Sequence, residues 1–349
     1  MTFPYSATLT NYLDLRYLII RNLEEKGGVP SLTVYTDSKG LATIGAGFLV
    51  QAQATAILEE MGYSGNPSLP AYAQAITNAA IGVNFGQGAA GALAAQAALD
   101  KALRQATGNS GATFVFPSQS AVEQVFNNIA VNFETNVDSW LTSVPQSRER
   151  LALLSLAYNG VLARSLSLKT AIQSEDRAWA WYEIRYHSNR SQLVGVAKRR
   201  FMESALFGLF TDSSNVSPEA AKDAYRFLQD HRNQILAYES RWGLNPDGTR
   251  GNQRDKQGRT GLEAVKDDYG AILQYAGLAP GTYPKLDWTF DPAKTALLAY
   301  LRAVCEQPHR GQSAGRQRFR LNQHLCGISG WKPARRQTIS DGQFSEWCR

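Results

Sequence analysis

Residues 24 to 48 constrain this chain more than any other stretch. They run Glu24-Glu25-Lys26-Gly27-Gly28 and then Tyr35-Thr36-Asp37-Ser38-Lys39-Gly40-Leu41-Ala42-Thr43-Ile44-Gly45-Ala46-Gly47-Phe48. Leu13, Tyr17, Ile20 and Leu23 recur at helical spacing, so residues from about 10 to 26 read as an amphipathic helix. Gly27 and Gly28 are its natural stop. Ser31 to Tyr35 is a β-rich run, Asp37-Ser38-Lys39-Gly40 is turn chemistry, and Leu41 to Ile44 returns as a strand. Glu24 and Glu25 then sit in the last helical turn, where the negative end of the helix dipole disfavours a second negative charge and suits a proton donor. Asp37, in a polar turn, suits a carboxylate. A helix end followed by such a hairpin can set two unlike carboxyl groups on opposite walls of one cleft, an apparatus used to cut glycosidic bonds. The plain alternative is a surface helix ending in solvated glutamates beside an ordinary hairpin.

Glu followed by Tyr-x-Asp-x-x-Gly-x-x-Thr-Ile-Gly-x-Gly resembles the active-site signature of the phage-type lysozymes, glycoside hydrolase family 24. Tyr35 to Gly47 match it at every defining position. Leu153-Leu154-Ser155-Leu156-Ala157-Tyr158-Asn159-Gly160 resembles the family's buried central helix. Trp181 to Tyr186 and Gly195-Val196-Ala197-Lys198-Arg199-Arg200-Phe201-Met202-Glu203 resemble the helices that close its larger lobe. The resemblance covers residues of about 10–210 and implies hydrolysis of the β-1,4 bond between N-acetylmuramic acid and N-acetylglucosamine in peptidoglycan. It implies that the helix-end glutamate protonates the leaving oxygen. Asp37, with the hydroxyl of Thr43, would orient a water on the opposite face. Inversion is implied, for which the carboxyl separation is roughly 6.5–9.5 Å.

Two departures stand out. Family members carry Gly directly after the glutamate and a shorter span to the aspartate, whereas Asp37 lies 13 residues from Glu24 and 12 from Glu25. Helical phase favours Glu24, which has Ile20 and Ile19 four and five positions before it; Glu25 has Arg21 four before it. An insertion that shifts the helix end would present Glu25 instead, so both stay candidates for the acid. Phe48 stands where many relatives carry a structural His. Asn159 is a candidate substrate ligand. Arg199 and Arg200 are expected in lobe-stabilising ion pairs with Glu203 or Glu183, without a catalytic role.

The implied fold class is mainly α (α+β): a lysozyme-like, two-lobed domain with a small β-hairpin lobe and a helical lobe over residues 1–212. A helical insertion at about 51–110 includes the Ala-rich run from Gly86 to Ala106. Pro117-Ser118 reads as the start of a helix over 121–141, and 148–163 as the central helix. The polar stretch from Thr211 to Pro218 suggests a boundary. A C-terminal accessory domain over 213–349 follows, with helices expected at 219–241 and 261–277 and a polar loop at 245–258. At 349 residues and 44% hydrophobic content the chain can form such a pair of domains.

The tail from Leu301 to Arg349 holds nine Lys/Arg against three Asp/Glu, a net charge of +6 equal to that of the whole chain. Arg310, Arg316, Arg318, Arg320, Lys332, Arg335 and Arg336, interleaved with Phe319, Trp331, Phe344 and Trp347, suit glycan strands or an anionic envelope polymer, or form a solubilising face. Nucleic acid is the weaker expectation. Cys305, Cys326 and Cys348 all lie here; their odd number and spacing argue against zinc and allow one disulfide. His187, His231, His309 and His324 are scattered, and Asn245-Pro246-Asp247-Gly248 lacks the alternating acids of a calcium loop, so no metal or cofactor is expected. No apolar run of about 18 residues suggests a membrane span. The opening Met-Thr-Phe-Pro-Tyr-Ser lacks a signal-peptide pattern. A protein acting on the cell wall of a host or target cell would then need lysis or a dedicated injection machine, and an immunity protein is a conceivable partner. The alternative function is a non-hydrolytic peptidoglycan-binding envelope protein with the same fold.

Overall fold

In the computed structural model of this chain, residues 3–24, 28–189, 192–212 and 215–278 are described. Glu25, all three cysteines, His309, His324 and the basic tail lie outside them. The described chain is mostly helical, with one small antiparallel sheet in the order β1-β2-β3.

Helix α1 (Tyr12–Glu24) buries two faces rather than one. Leu15 and Ile19 enter one hydrophobic cluster; Tyr17 and Ile20 enter a second. Leu13, expected on the apolar face, is 56% exposed at the N-terminal end of the face that buries Tyr17 and Ile20. Strands β1 (Ser31–Thr36) and β2 (Ala42–Gly45) form the expected hairpin, with Thr36 opposite Ala42, Tyr35 opposite Thr43, and a register shift before Ser31 meets Gly45. A short third strand, β3 (Phe48–Leu49), pairs Phe48 with Ile44 and runs straight into α2 (Val50–Leu58).

The insertion is largely helical. A π-helical turn (Glu59–Tyr63), α3 (Leu69–Ala80) and α4 (Gly88–Thr107) fold back over the sheet. On α4 the buried positions Gly91, Ala95, Leu99 and Leu103 recur every four residues, so small and branched side chains form one stripe against β1. Gln96 on this stripe accepts from Val34 N at 2.9 Å. These helices, the sheet and the first half of α5 (Gln119–Trp140) make the second cluster. Ser118 caps α5, accepting from Ala121 N at 3.2 Å. The far end of α5 enters the first cluster through Val137, so α1 and α5 both tie the two cores together.

The first cluster is built on α6 (Arg148–Tyr158), which is buried along nearly its whole length. It ends at Tyr158, earlier than the 163 expected, because Gly160 turns to φ +66° and a 3-10 turn (Leu162–Arg164) follows. Around it lie α7 (Leu166–Gln173), α8 (Arg177–Tyr182), a π-helical turn (Glu183–His187) and α9 (Val194–Phe207). The helix expected over 219–241 is two helices, α10 (Pro218–Asp230) and α11 (Arg232–Trp242), which break at His231. After a loop of Asx turns, α12 (Gly261–Tyr275) starts in a capping box between Thr260 and Glu263.

These last helices do not build a core of their own. Leu228, Ile235, Trp242, Leu262, Val265, Tyr269, Ile272 and Leu273 join the cluster formed by α6 and α9. Arg185, in the π-helical turn, donates to Glu239 on α11 at 3.0 Å, with both side chains buried. The polar break placed near 212 is therefore, for the residues described, a connection between helices that share one core.

Buried ion pairs fix the relative placement of these helices. Glu134 on α5 accepts from Tyr12 at 2.8 Å and from Arg150 at 2.6 Å. Glu149, with its side chain fully buried, pairs with Arg177 and accepts from Ser6 Oγ at 2.6 Å, which clamps the N-terminal segment onto α6 and α8. Burial pushes the Glu149 carboxyl up, but Arg177 and the Ser6 hydroxyl outweigh it and hold the group below the ordinary carboxyl range. Burial also lowers Arg177, from a value so high that the pair stays ionised. Since the folded pKa lies below the unfolded one, the stabilisation is complete above about pH 4.3 and is lost as pH falls through the folded value. Glu149→Gln is expected to destabilise the fold by about 3–5 kcal/mol at neutral pH by leaving Arg177 without its charge partner. It should also flatten the acid limb of stability. Urea melts of both proteins from pH 7 to pH 3 check this.

Candidate active site

The last turn of α1, the β2–β3 turn, the end of α6 and the middle of α9 meet at one place. Glu24 closes α1, and its Oε1 accepts from Arg199 Nη1 at 2.6 Å. Its other oxygen lies against the backbone of Gly47: a Cβ there would stand 3.1 Å from Oε2 and 3.0 Å from Cγ, at a φ of +83°. Glycine at 47 is thus required both by conformation and by the approach of the carboxyl group. The Glu24 side chain is 26% exposed, whereas that of Arg199 is 7%.

Arg199 is fixed from behind. Its Nη2 donates to Ser155 O at 3.0 Å, and its Nε to Ser155 Oγ and Glu203 Oε1, each at 3.3 Å. Ser155 Oγ itself donates to Glu203 Oε1 at 2.6 Å. Burial works against the Arg199 charge, but Glu24 and Glu203 more than offset it and its pKa is raised. Glu203 also pairs with Arg200, whose Nη2 donates to Asn159 Oδ1 at 2.5 Å. One continuous network therefore runs from Glu24 through Arg199, Glu203 and Arg200 to Asn159. Asn159 is exposed at the end of α6, and with Oδ1 engaged by Arg200 its Nδ2 is the group it can offer outward. Tyr158 beside it donates to Ala46 O at 2.8 Å, which pins the β2–β3 turn to α6.

Asp37 sits at the opposite end of β2, in the β1–β2 turn. Its Oδ1 accepts from Lys39 N at 2.8 Å and Leu41 N at 2.9 Å. The turn is buttressed by the α3–α4 connection: Phe85 N donates to Gly40 O at 2.9 Å and Gln87 Nε2 to Ser38 O at 2.5 Å. Thr43 lies on β2 between the two ends, and the four residue steps from Leu41 to Gly45 cover about 13 Å. The Thr43 side chain is 4% exposed and donates to Leu41 O at 3.1 Å, so its hydroxyl keeps only acceptor capacity.

The sequence reading of the site differs from the structure in three places. The Glu24 carboxyl group faces a guanidinium as well as the end of α1. Arg199 is paired with the candidate acid as well as with Glu203. Glu183 pairs with neither arginine: it accepts from Trp179 Nε1 at 3.0 Å and faces His187 Nδ1 at 3.1 Å. The Gly-x-x-x-Arg-Arg-x-x-Glu spacing placed both arginines on one buried helix face, but not which carboxylate from another element would reach them.

Two concave sites lie elsewhere. One, of about 530 Å³, is lined by Pro4, Asp176, Arg177, Phe210 and Asp223. The other, of about 280 Å³, is lined by Gln51, Gln53, Thr77, Asn128 and Asn132. Neither includes Glu24, Asp37, Thr43 or Asn159. Among the described residues no group of three or more His, Cys, Asp or Glu is arranged to hold a metal ion, and no helix is long and apolar enough to cross a membrane. Compared with protein-family models, curated proteins and solved structures, the chain matches none.

Proposed function

We propose that this protein is a muramidase that hydrolyses the β-1,4 bond between N-acetylmuramic acid and N-acetylglucosamine in peptidoglycan, with a lysozyme-like two-lobed arrangement of its two cores. The observation that carries the reading is the contact of Glu24 with both Arg199 and Gly47. It joins the stretch 24–47 to the distant stretch 195–203, each of which resembles the same family, and Arg199 in turn bonds Ser155 in the third. The glycan strand would run past the mouth formed by the hairpin and the end of α6. Arg199 holds Oε1, so Oε2 is the oxygen through which Glu24 would pass a proton to the leaving glycosidic oxygen. Asp37 would accept a proton from a water that attacks the anomeric carbon from the other face, with Thr43 Oγ1 as a second acceptor for that water. Asn159, oriented by Arg200, would donate Nδ2 to an acetamido or hydroxyl oxygen of the sugar. The competing reading, a non-hydrolytic peptidoglycan binder, draws on the burial of the Thr43 hydroxyl.

Purified sacculi incubated with the full chain are expected to release muropeptides with new reducing ends on muramic acid. Proton NMR at early times should show the α-anomer first, the signature of inversion at a β-linkage. Release of β-anomer would replace inversion by retention. The absence of any release by the folded chain, across pH and salt, would leave the binding reading in its place. The route to a cell wall, an immunity partner and a polymer ligand for the tail stay within this proposal.

A further inference from the structure

We infer that Tyr269, in the region that the sequence marks as accessory, is a positioning residue for Glu24. Residues 215–278 would then be part of the active-site framework. This inference rests on the muramidase reading. Tyr269 on α12 is 1% exposed, and its hydroxyl donates to Asn22 O at 3.1 Å. Asn22 lies two residues before Glu24, and its carbonyl is one of the last four of α1, which have no partner within the helix. The bond therefore satisfies an orphan acceptor in the turn that carries the candidate acid.

Asn22 is held from two further sides. Its Nδ2 donates back to Leu18 O at 2.7 Å. The backbone of Gly28 presses on its side chain so closely that a Cβ would stand 2.3 Å from Oδ1. On its other flank the Tyr269 ring carries Lys198 Nζ 5.0 Å from its centroid, and Lys198 pairs with Asp268 at 3.2 Å. Lys198 immediately precedes Arg199. The contacts thus close a circuit: Glu24 to Arg199 by an ion pair, Arg199 to Lys198 along α9, Lys198 to Tyr269 by a cation–π contact, and Tyr269 to Asn22 by a hydrogen bond. Chain continuity from Asn22 to Glu24 completes it.

A single ion pair lets the last turn of α1 swing about its contact with Arg199. A second tie two residues upstream, anchored to the same stretch of α9, removes that freedom. Orientation of a proton donor is what such a tie protects, and displacements of about 1 Å can cost on the order of 100-fold in rate. Tyr269 does not reach the reacting atoms, so its loss should lower kcat while substrate contacts stay in place.

The test measures kcat and KM on soluble peptidoglycan fragments, with pH–rate profiles and melting curves, for the full-length wild type, Tyr269→Phe and Lys198→Gln. Tyr269→Phe keeps the ring and removes only the hydroxyl. The expected result is a kcat lower by roughly tenfold with KM nearly unchanged, and a displaced limb of the pH–rate profile. Lys198→Gln should move kcat in the same direction by less. An active wild type whose kcat and pH profile survive both substitutions overturns the inference alone, as does a variant that only melts earlier while retaining full kcat per folded molecule. If Tyr269→Phe fails to fold, Lys198→Gln decides. A wild type that cleaves nothing overturns the muramidase reading and this inference with it.

Discussion

Glu24→Gln is expected to abolish most muropeptide release, lowering kcat by about 100- to 10,000-fold, the range a general acid contributes. Glutamine keeps an oxygen for Arg199 Nη1, so the network behind the site and the fold should survive; circular dichroism and the melting midpoint should stay close to wild type. Glu25→Gln is the matched control, since Glu25 lies outside the described residues while Glu24 touches both Arg199 and Gly47. Side-by-side rates decide between the two glutamates. A Glu25→Gln protein that loses activity while Glu24→Gln keeps it would transfer the acid role to Glu25. Asp37→Asn should lose activity to a comparable degree without loss of fold, since its Oδ1 can still accept from Lys39 N and Leu41 N.

A chain that stops at residue 212 is expected not to fold. The family resemblance and the polar break after 211 make 1–212 self-sufficient, whereas eight large apolar side chains from 215–278 complete the core around α6 and α9. Burying a side chain of this kind contributes about 1.5–3 kcal/mol, so their removal forfeits a gross term of the same order as the whole net stability of a domain, about 5–15 kcal/mol. The truncation also strips Glu239 from Arg185 and leaves that guanidinium buried without its carboxylate, which by itself costs about 3–5 kcal/mol. Size-exclusion chromatography and near-UV circular dichroism of the 1–212 fragment test this. A monomeric fragment with a cooperative melt would show that the helices after 215 decorate the core rather than complete it.

Much of the local structure was legible. The hairpin with its polar turn at Asp37, the α5 start at Pro117-Ser118, the helical character of 51–110 and α12, expected over 261–277 and found at Gly261–Tyr275, all follow from signals a few residues long. Capping hydroxyls, turn residues and the periods of helix and strand act through near neighbours, so spacing exposes them. Local signals fall short where a segment has more than one neighbour. Leu13 is exposed although Tyr17 and Ile20 on the same face of α1 are buried, and α6 ends at Tyr158, before the turn at Gly160, within a run whose spacing suits a longer helix. The break at His231 carried no glycine or proline to announce it.

By itself the sequence determined on what kind of element each candidate side chain would sit, because residue types and their spacing are local properties. Only the tertiary structure decided what those side chains face. Glu24 and Arg199 are 175 residues apart, and their contact exists because α6, α9 and α12 pack around shared apolar side chains that set the distance between helix ends. The same packing turned the region after 212 from an attached module into the support of Asn22 and Lys198. An ion pair or a shared core depends on where whole elements come to rest, and that is settled by the sum of their buried contacts rather than by any motif along the chain.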